Sequence, residues 1–421
     1  MLRTVAPPPH SPARPARAAD PDRRRTSART VLRCVLEHGP VARSTIARLT
    51  GLSPASVTDH CARLTELGLL HEATAPRRSG GVGRPHLPLD VDGSRLVVGG
   101  VHVAVPYTTV ALLDLRGRVV AERRLPHPDP EPVRVLERAA GGLAELLERV
   151  PERRPLGVGF AAGGWVDRAA GTVVDHPLLG WREVPAREVL RARTGLPVHV
   201  DGHARALADA ERLFGRAARG GRSALHLFAG NIVDAAFATH DQVHHGPRSQ
   251  AGAIAHLPLA GGTESCPCGR TGCLQAELSE RTLCRRAREA GVCDGRNPLH
   301  VVDAAAAGHP AAARLLRERA RMVGRAVGLL TDVLNPESVI VTEIGVIHRP
   351  DCLAALRGEL DPARAETVTP TSFPESVLAV AGGAVALDVL YRDPLSVSPE
   401  RINSETRNID SPLLGQGTCW S

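Results

Sequence analysis

The apolar positions of "TSARTVLRCVLEHGPVARSTIARLTGLSPASVTDHCARLTELGLLHE" recur with the spacing of three short helices. Val31, Leu32, Val35 and Leu36 form the first apolar face, which stops at Gly39-Pro40; Ile46 and Leu49 form the second, stopped by Gly51. In the third, Ser53 suits the N-cap and Pro54 the first helical position, with Val57, Cys61, Leu64 and Leu67 at helical spacing up to Gly68. "TGLS" is then a sharp turn between two helices. The next stretch, "GLLHEATAPRRSGGVGRPHLPLDVD", reads as two short strands around a Gly- and Arg-rich tip, so residues 26–90 have the outline of a winged helix-turn-helix.

From about residue 95 the pattern changes. "RLVVGGVHVAV", "YTTVALLDL" and "RVVAERRL" are strand-like, followed by the amphipathic helix "EPVRVLERAAGGLAELLERV" and a further strand, "LGVGFAA". Three strands, a helix and a strand predict a mixed-sheet α/β lobe of actin-like (ribonuclease H-like) type over about 91–200. A second lobe is expected over about 201–378, from "PVHVDGHARALADAERLFG" through the long helix "HPAAARLLRERARMVGRAVGLLTDVLNP" into the strand "SVIVT". Gly382-Gly383 is expected to open a last helix that packs back on the first lobe, ending the two-lobed domain near 395.

Length and composition add limits to this picture. A chain of 421 residues exceeds one ordinary domain, and 43% hydrophobic with 23% charged residues fits a globular protein with more than one core. No apolar run is long enough to cross a bilayer, and "MLRTVAPPPHSPARPARAAD" lacks the apolar segment of a secretory signal, so a cytoplasmic protein without a membrane partner is expected. The net charge of +7 lies at the front: residues 1–90 hold fourteen arginines against seven acidic residues, and the remainder is neutral. A local positive field of this kind attracts a phosphate backbone. Residues 1–25 read as a disordered basic arm and 396–421 as a disordered polar tail.

Nine cysteines, an odd number, in a reducing compartment favour thiols or metal ligands over disulfides. Three of them crowd into "CPCGRTGCLQ", and His256 lies just upstream. His256, Cys266, Cys268 and Cys273 make a three-thiolate, one-imidazole set suited to tetrahedral zinc; four protein donors leave no place for a catalytic water, so the expected Zn2+ is structural. Gly261-Gly262, Gly269 and Gly272 allow the chain to fold tightly around the ion.

This stretch resembles the zinc signature of the ROK family (repressors, uncharacterised reading frames and sugar kinases), which runs from Gly-Glu-Ile-Gly-His to Cys-x-Cys-Gly-x-x-Gly-Cys-Leu-Glu. "VGFAAGGWVD", "HPLLGW" and "VLNPESVIV" resemble other parts of the family, so the resemblance covers roughly residues 28–392. It implies either an enzyme or a DNA-binding regulator. The family's kinases carry Asp-x-Gly-Gly-Thr in the first lobe, where this chain has "GGVHVAVPYTTVALLDL"; the Gly-rich turn of the second lobe reads "LFAGNIVDAAF", and the late Gly-Gly reads "TEIG". Close backbone approach to ATP phosphates needs those glycines. The expected protein is therefore not an enzyme, and Asp201, which aligns with the family's catalytic base, is a vestige.

Resemblance also makes Asp201, His203, His256 and Gln275 candidate ligand contacts, with a helix N-cap as the plain alternative for Asp201 and solvated or packed positions for His203 and Gln275. The family's Asn before the aspartate is Val200 and the Glu of its first motif is Ala253. Two lost polar contacts weaken a hexose site, since each unpaired hydroxyl costs about 1–3 kcal/mol. The effector is a sugar, a sugar derivative or a diverged small molecule.

For double-stranded DNA, Ser53, Ala55, Ser56, Thr58, Asp59 and Arg63 lie along the third helix, whose N-terminal end would enter the major groove. Asp59 can accept from a cytosine amino group or turn to another side chain. Arg43, Ser44 and Thr45, opening the preceding helix, suit phosphate, and Arg77, Arg78 and Arg84 in the wing suit a neighbouring phosphate or the minor groove. The family implies a homodimer or homotetramer on a palindromic operator. A sugar kinase with an accessory DNA-binding domain and a protein-binding module are the competing readings.

Overall fold

The computed structural model describes residues 21–73, 87–216, 223–239 and 242–397. Arg77, Arg78 and Arg84, most of the arm and nearly all of the tail lie outside them. The first helix, α1 (Pro21–His38), starts inside the span read as basic arm, because "PDRRRTSAR" carries a proline suited to a first turn, followed by Asp22. It is followed by α2 (Arg43–Thr50) and α3 (Pro54–Glu66). Gly51 ends α2 at φ 70°, and the Ser53 hydroxyl accepts from the Ser56 amide at 3.2 Å to open α3. Strands β1 (Leu70–Glu72) and β2 (Leu89–Val91) pair antiparallel beyond α3. Val31, Leu32, Val35, Ile46, Val57, Cys61 and Leu64 are fully buried, as their spacing requires.

The first lobe holds β3 (Leu96–Val103), β4 (Tyr107–Asp114), β5 (Val119–Pro126), α4 (Pro132–Glu148) and β6 (Arg154–Ala162). Three short strands, β7 (Trp165–Asp167), β8 (Thr172–His176) and β9 (Trp181–Val184), form a separate small sheet, and α5 (Ala186–Thr194) leads into β10 (Val198–Gly202). The main sheet has the order β10-β6-β3-β4-β5, parallel on the β10-β6-β3 side and antiparallel beyond. Its strands β3 and β4 are buried almost throughout because helices cover both faces, which is why they lack an alternating pattern.

A helix, α6 (His203–Phe214), then leads from β10 toward the second sheet, made of β11 (Ser223–Ala229), β12 (Val233–Thr239), β13 (Ser338–Glu343) and β14 (Val368–Pro370) in the order β12-β11-β13-β14. Around it lie α7 (Leu274–Leu278), α8 (Glu280–Glu289), α9 (Pro298–Ala306), α10 (Pro310–Leu334), α11 (Ile344–His348), α12 (Pro350–Arg357) and α13 (Pro362–Thr367). The last helix, α14 (Val377–Arg392), returns to the first lobe. Gly382-Gly383 sits inside α14 rather than at its start. A Cβ on Gly100 would lie 2.6 Å from the Gly383 nitrogen and one on Gly159 2.2 Å from the Gly382 oxygen, so the glycines exist to let helix and sheet touch backbone to backbone.

One hydrophobic core joins α1–α3 to the first lobe. Val31, Leu32 and Val35 belong to the same cluster as Leu96, Leu113, Leu213, Ala379, Leu387 and Tyr391. The N-terminal helices are therefore packed on α6 and α14, not hung from a linker. No helix among the described residues is long and apolar enough to cross a membrane.

Candidate metal centre and inter-lobe cleft

His256, Cys266, Cys268 and Cys273 come together with their donor atoms all within 4.8 Å of one another, the only such group of His, Cys, Asp or Glu among the described residues. The Cys266 Sγ lies 3.6 Å from His256 Nδ1, and Cys268 Sγ 3.6 Å from Cys273 Sγ. A tetrahedral ion with metal–sulfur bonds of ~2.3 Å has donor–donor edges of about 3.8 Å. The donor set thus fits a closed four-coordinate metal ion. Local chain geometry builds it: Gly269 and Gly272 take φ 86° and 74°, the Gly269 amide donates to the Cys266 carbonyl, and Cys273 stands at the start of α7. A Cβ on Gly262 would approach the Gly272 Cα to 2.7 Å, so the two arms of the loop need both glycines.

A second layer of contacts holds this loop to the second lobe. The buried Glu277 carboxylate accepts from the Thr263 and Glu264 amides at 2.5 and 2.6 Å, and Arg286 binds Glu277 at 3.1 Å and Glu264 at 2.8 Å. Gln275 is also consumed locally: its amide oxygen accepts from Val233 N at 2.9 Å and its amide nitrogen donates to the Asn231 carbonyl at 2.6 Å. Of the residues singled out as ligand contacts, Gln275 thus clamps the β11–β12 turn and His256 belongs to the metal set.

Asp201 is the penultimate residue of β10 and is 1% exposed. Gly202 is the N-cap position of α6, and the Asp201 side chain makes no capping bond into the helix; its Oδ1 accepts from Gly202 N at 2.7 Å and from Arg205 Nε at 2.6 Å. Oδ2 meets His245 Nε2 at 3.0 Å and Arg168 Nη1 at 3.3 Å. A carboxylate has about four lone-pair sites. Three of them accept from Gly202, Arg205 and Arg168, and the fourth faces His245 Nε2, which itself lies 2.9 Å from Arg168 Nη1. Burial alone would push the Asp201 carboxyl up, but Arg205, His245 and Arg168 outweigh it and hold the group well below the usual carboxylate range.

Arg168 continues into a buried ion-pair network. Its Nη2 donates to Asp388 on α14 at 3.1 Å, and Asp388 also accepts from Arg212 at 2.6 Å and Arg392 at 2.8 Å. Arg212 binds Asp209 at 3.0 Å. Burial and the neighbouring Asp388 push the Asp209 carboxyl up to about 8. At the far end of α6, Arg33 of α1 donates to the Arg212 carbonyl at 3.4 Å. Neither Arg168 nor His245 was recognisable from the sequence, where each is one of many arginines or histidines without a motif around it.

Between the lobes stands a column of rings. His102, at the end of β3, lies parallel to His203 at 5.8 Å between centroids, and His203 packs on Phe228 of β11 at 4.1 Å. His203 Nε2 is 3.1 Å from Asp234 of β12. Burial holds the His102 imidazole well below its ordinary pKa, and holds His176 and His226 down at about 4 and 3. These rings are neutral in the folded protein, whereas they gain protons in the unfolded chain below about pH 6.5. Their contribution is therefore complete above that pH and is lost as pH falls toward 4. His226→Asn, which can still reach Thr342, is expected to gain stability relative to the parent by about 1.4 kcal/mol per pH unit between pH 6 and 4.5. Denaturant unfolding of both proteins at pH 7 and 5 checks this; an unchanged difference contradicts it.

On the N-terminal helices, Ser44, Ser53, Ala55, Thr58, Asp59 and Arg63 are exposed, and Arg43, Thr45 and Ser56 are half-buried. Arg43 pairs with Glu72 at 3.2 Å, Arg63 with Glu66 at 3.1 Å, and Asp59 with Arg24 of α1 at 3.6 Å. Thr58 bonds back to the Pro54 carbonyl at 2.9 Å.

Two mixed sheets, a helix crossing between them and a returning terminal helix define a two-lobed α/β protein of the sugar-kinase type, here carrying an extra helical domain at its front. The profile described as ROK family matches residues 98–381, and the chain belongs to that family. A transcriptional regulator of Mycobacterium tuberculosis is 34% identical over 386 residues, covering 88% of this chain and 87% of the relative. The DNA-binding transcriptional repressor Mlc of Escherichia coli is 25% identical, covering 89% of this chain and 96% of its own. A glucokinase of Streptomyces coelicolor is 27% identical but spans only 58% of this chain. Among solved structures, a ROK family transcriptional regulator homologous to the same E. coli protein superposes with a TM-score of 0.70 at 22% identity, over 89% of this chain and 98% of that one. That likeness shows the shared fold.

Proposed function

We propose that the chain is a DNA-binding transcriptional repressor: a winged helix-turn-helix at residues 26–90, a zinc-braced two-lobed domain that responds to a small effector, and a homodimer or homotetramer on a palindromic operator. The observation that carries this reading is the state of the nucleotide cleft. Where the resemblance implies the kinases' Asp-x-Gly-Gly-Thr, this chain has Val105 and Pro106 beside the buried, packed rings of His102, His203 and Phe228, and in the second lobe Glu343 stands where the resemblance implies a glycine. Its buried carboxylate accepts from Val346 N at 2.7 Å at the start of α11 and pairs with the buried Arg319. A carboxylate at that helix start repels a phosphate instead of binding one.

Support for the DNA end comes from α2, the tight turn at Gly51 and α3, which have the order and caps of a helix-turn-helix. A regulator of Mycobacterium tuberculosis aligns over 88% of this chain, more than the residues from 98 onward can supply, so the likeness runs back at least into α3. The Cys266, Cys268, Cys273 and His256 set favours zinc over harder ions, because thiolates are soft donors and three of them with one imidazole close a four-coordinate shell. When bound, zinc supplies a structural crosslink and no chemistry.

Communication between cleft and DNA has a physical route in this reading. The start of α6 touches Asp201, its far end carries Arg212, and Arg212 meets both Asp388 and Arg33 of α1. A shift of Arg168 thereby reaches the packing of the DNA-binding domain, and a coupling of about 1–3 kcal/mol is enough for a switch.

Selection of duplexes from a random pool with zinc-loaded protein tests the reading. A recovered palindromic site should bind at least about a thousandfold more tightly than scrambled duplex. Ser44→Glu, at the start of α2, should weaken binding to all sequences alike, whereas Thr58→Ala should relax preference within the half-site. Equal affinity for all duplexes rejects specific repression, and hexose-dependent ATP turnover by the same preparation would replace it with the kinase.

A further inference from the structure

We propose that the effector site at Asp201 takes an anionic ligand, a sugar acid or sugar phosphate, and not a neutral sugar. This inference deepens the repressor reading and rests on it for the consequence of binding, though not for the binding itself. A neutral sugar is held by groups that accept its hydroxyl protons, and Asp201 is the acceptor that this position offers. Here it is saturated: the Gly202 amide, Arg205, His245 and Arg168 occupy both oxygens. The other acceptor of the family's pattern is gone too, since Ala253 stands where it has Glu.

What remains is rich in donors. Arg168 and His245 are about a quarter and a fifth exposed, at 25% and 22%, and both contact the buried aspartate, so they connect it to the surface. Arg248, 62% exposed, stacks over the half-buried Trp165 ring at 4.6 Å, and the Trp165 indole donates to the Arg248 carbonyl at 2.9 Å. The backbone is bent to place it: Arg248 and Ser249 have φ of 51° and 57°, a left-handed pair of non-glycine residues, and Ser249 Oγ accepts from the Arg168 amide at 3.2 Å. Consecutive residues in this region persist only where the surroundings enforce them. The twelve-residue α6 begins two residues beyond Asp201.

Charge adds to the same conclusion. Asp201 and Asp388 face Arg168, Arg205, Arg212 and Arg392, so arginines outnumber their buried carboxylate partners even before Arg248 is counted, and Asp167, 3.8 Å from Arg248, offsets only that one. Asp209, which Arg212 also binds, leaves four arginines against three carboxylates. A carboxylate or phosphate entering beside Trp165 would meet Arg248 and His245 and draw Arg168 away from Asp201, with the sugar ring lying against the indole. Arg168 is then the reporter of occupancy, because the same guanidinium holds Asp388.

The test is calorimetric titration of the full-length, zinc-loaded protein with glucose, glucuronate, gluconate and glucose 6-phosphate at low ionic strength. At least one of the three anions should bind ten times or more tightly than glucose, and the pair of carboxylates against the phosphate tells the two sources apart. Arg248→Gln, an exposed change that leaves the buried network intact, should weaken that anion at least fivefold; Arg168→Lys should weaken it further while keeping the charge. Glucose binding as well as the acids, no binding by any of the three anions, or an affinity indifferent to Arg248 overturns the proposal. DNA affinity measured on the same samples separates the readings: specific duplex binding without anion binding rejects this inference alone, and anion binding without any duplex preference rejects the repressor.

Discussion

Cys273→Ser is expected to release the metal, to loosen residues 256–276 and to lower the stability of the second lobe by several kcal/mol. Cys273 is 1% exposed, opens α7 and sits against Cys266 and Ala276 in a small cluster of its own, so it has no other apolar core to fall back on. Structural zinc contributes roughly 10–16 kcal/mol of apparent binding energy in small domains, and even a fraction of that is large beside a typical folding free energy of about 5–15 kcal/mol. Besides the metal, the loop is held by short backbone bridges (Pro258 with Cys273, Ser265 with Thr271), by buried Leu259 and by Glu277 and Arg286, while Cys268 and His256 are exposed. Metal analysis of the purified variant should fall from one zinc per chain to none, and proteolysis should cut first between 256 and 276. Chelation of the parent protein should reproduce both effects. A variant that keeps stoichiometric zinc, or an apoprotein as resistant as the holoprotein, would show that the four donors do not act together. Because Gln275 ties the start of α7 to the β11–β12 turn, loss of the metal should also loosen the cleft, and effector response should disappear before duplex binding does.

Asp388→Ala is expected to cost about 3–5 kcal/mol, the usual penalty for removing one partner of a buried ion pair. The carboxylate is fully buried on α14 and receives Arg168, Arg212 and Arg392, so its loss leaves three guanidinium groups with too few acceptors. Asp388→Asn should cost less, because the amide oxygen still accepts one bond. Denaturant unfolding at pH 7 measures both. A loss below about 1 kcal/mol for the alanine variant would mean that water or Asp209 takes over the arginines, and the network would then not be the rigid link between cleft and α1. The stability measurement has a functional counterpart: if the link operates, Asp388→Asn should leave duplex affinity nearly intact but shrink the change that an effector produces.

Much of this protein can be read along the chain. The periodicity of Val31 to Leu67 and the caps at Gly51 and Ser53 were enough to place three helices, because helix spacing and end chemistry are properties of neighbouring residues. The strands of the first lobe and the long α10 were visible for the same reason. The metal donors were also legible: His256, Cys266, Cys268 and Cys273 lie within one short segment, and the glycines that fold it are beside them. The small sheet β7–β9 was not, since strands of three to five residues carry too short a pattern.

Sequence by itself determined most of the elements, their order and the His256, Cys266, Cys268 and Cys273 cluster. Tertiary structure alone decided what Asp201 does, because its partners Arg168 and His245 are 33 and 44 residues away and Asp388, which shares Arg168, is 220 residues from it. It also decided why Gly100 and Gly159 are glycines, since the backbone that they admit belongs to α14. Local chemistry writes itself into adjacent positions, whereas an ion pair or a close backbone contact exists only after the chain has returned on itself, and a single arginine carries no mark of the carboxylate that it will meet.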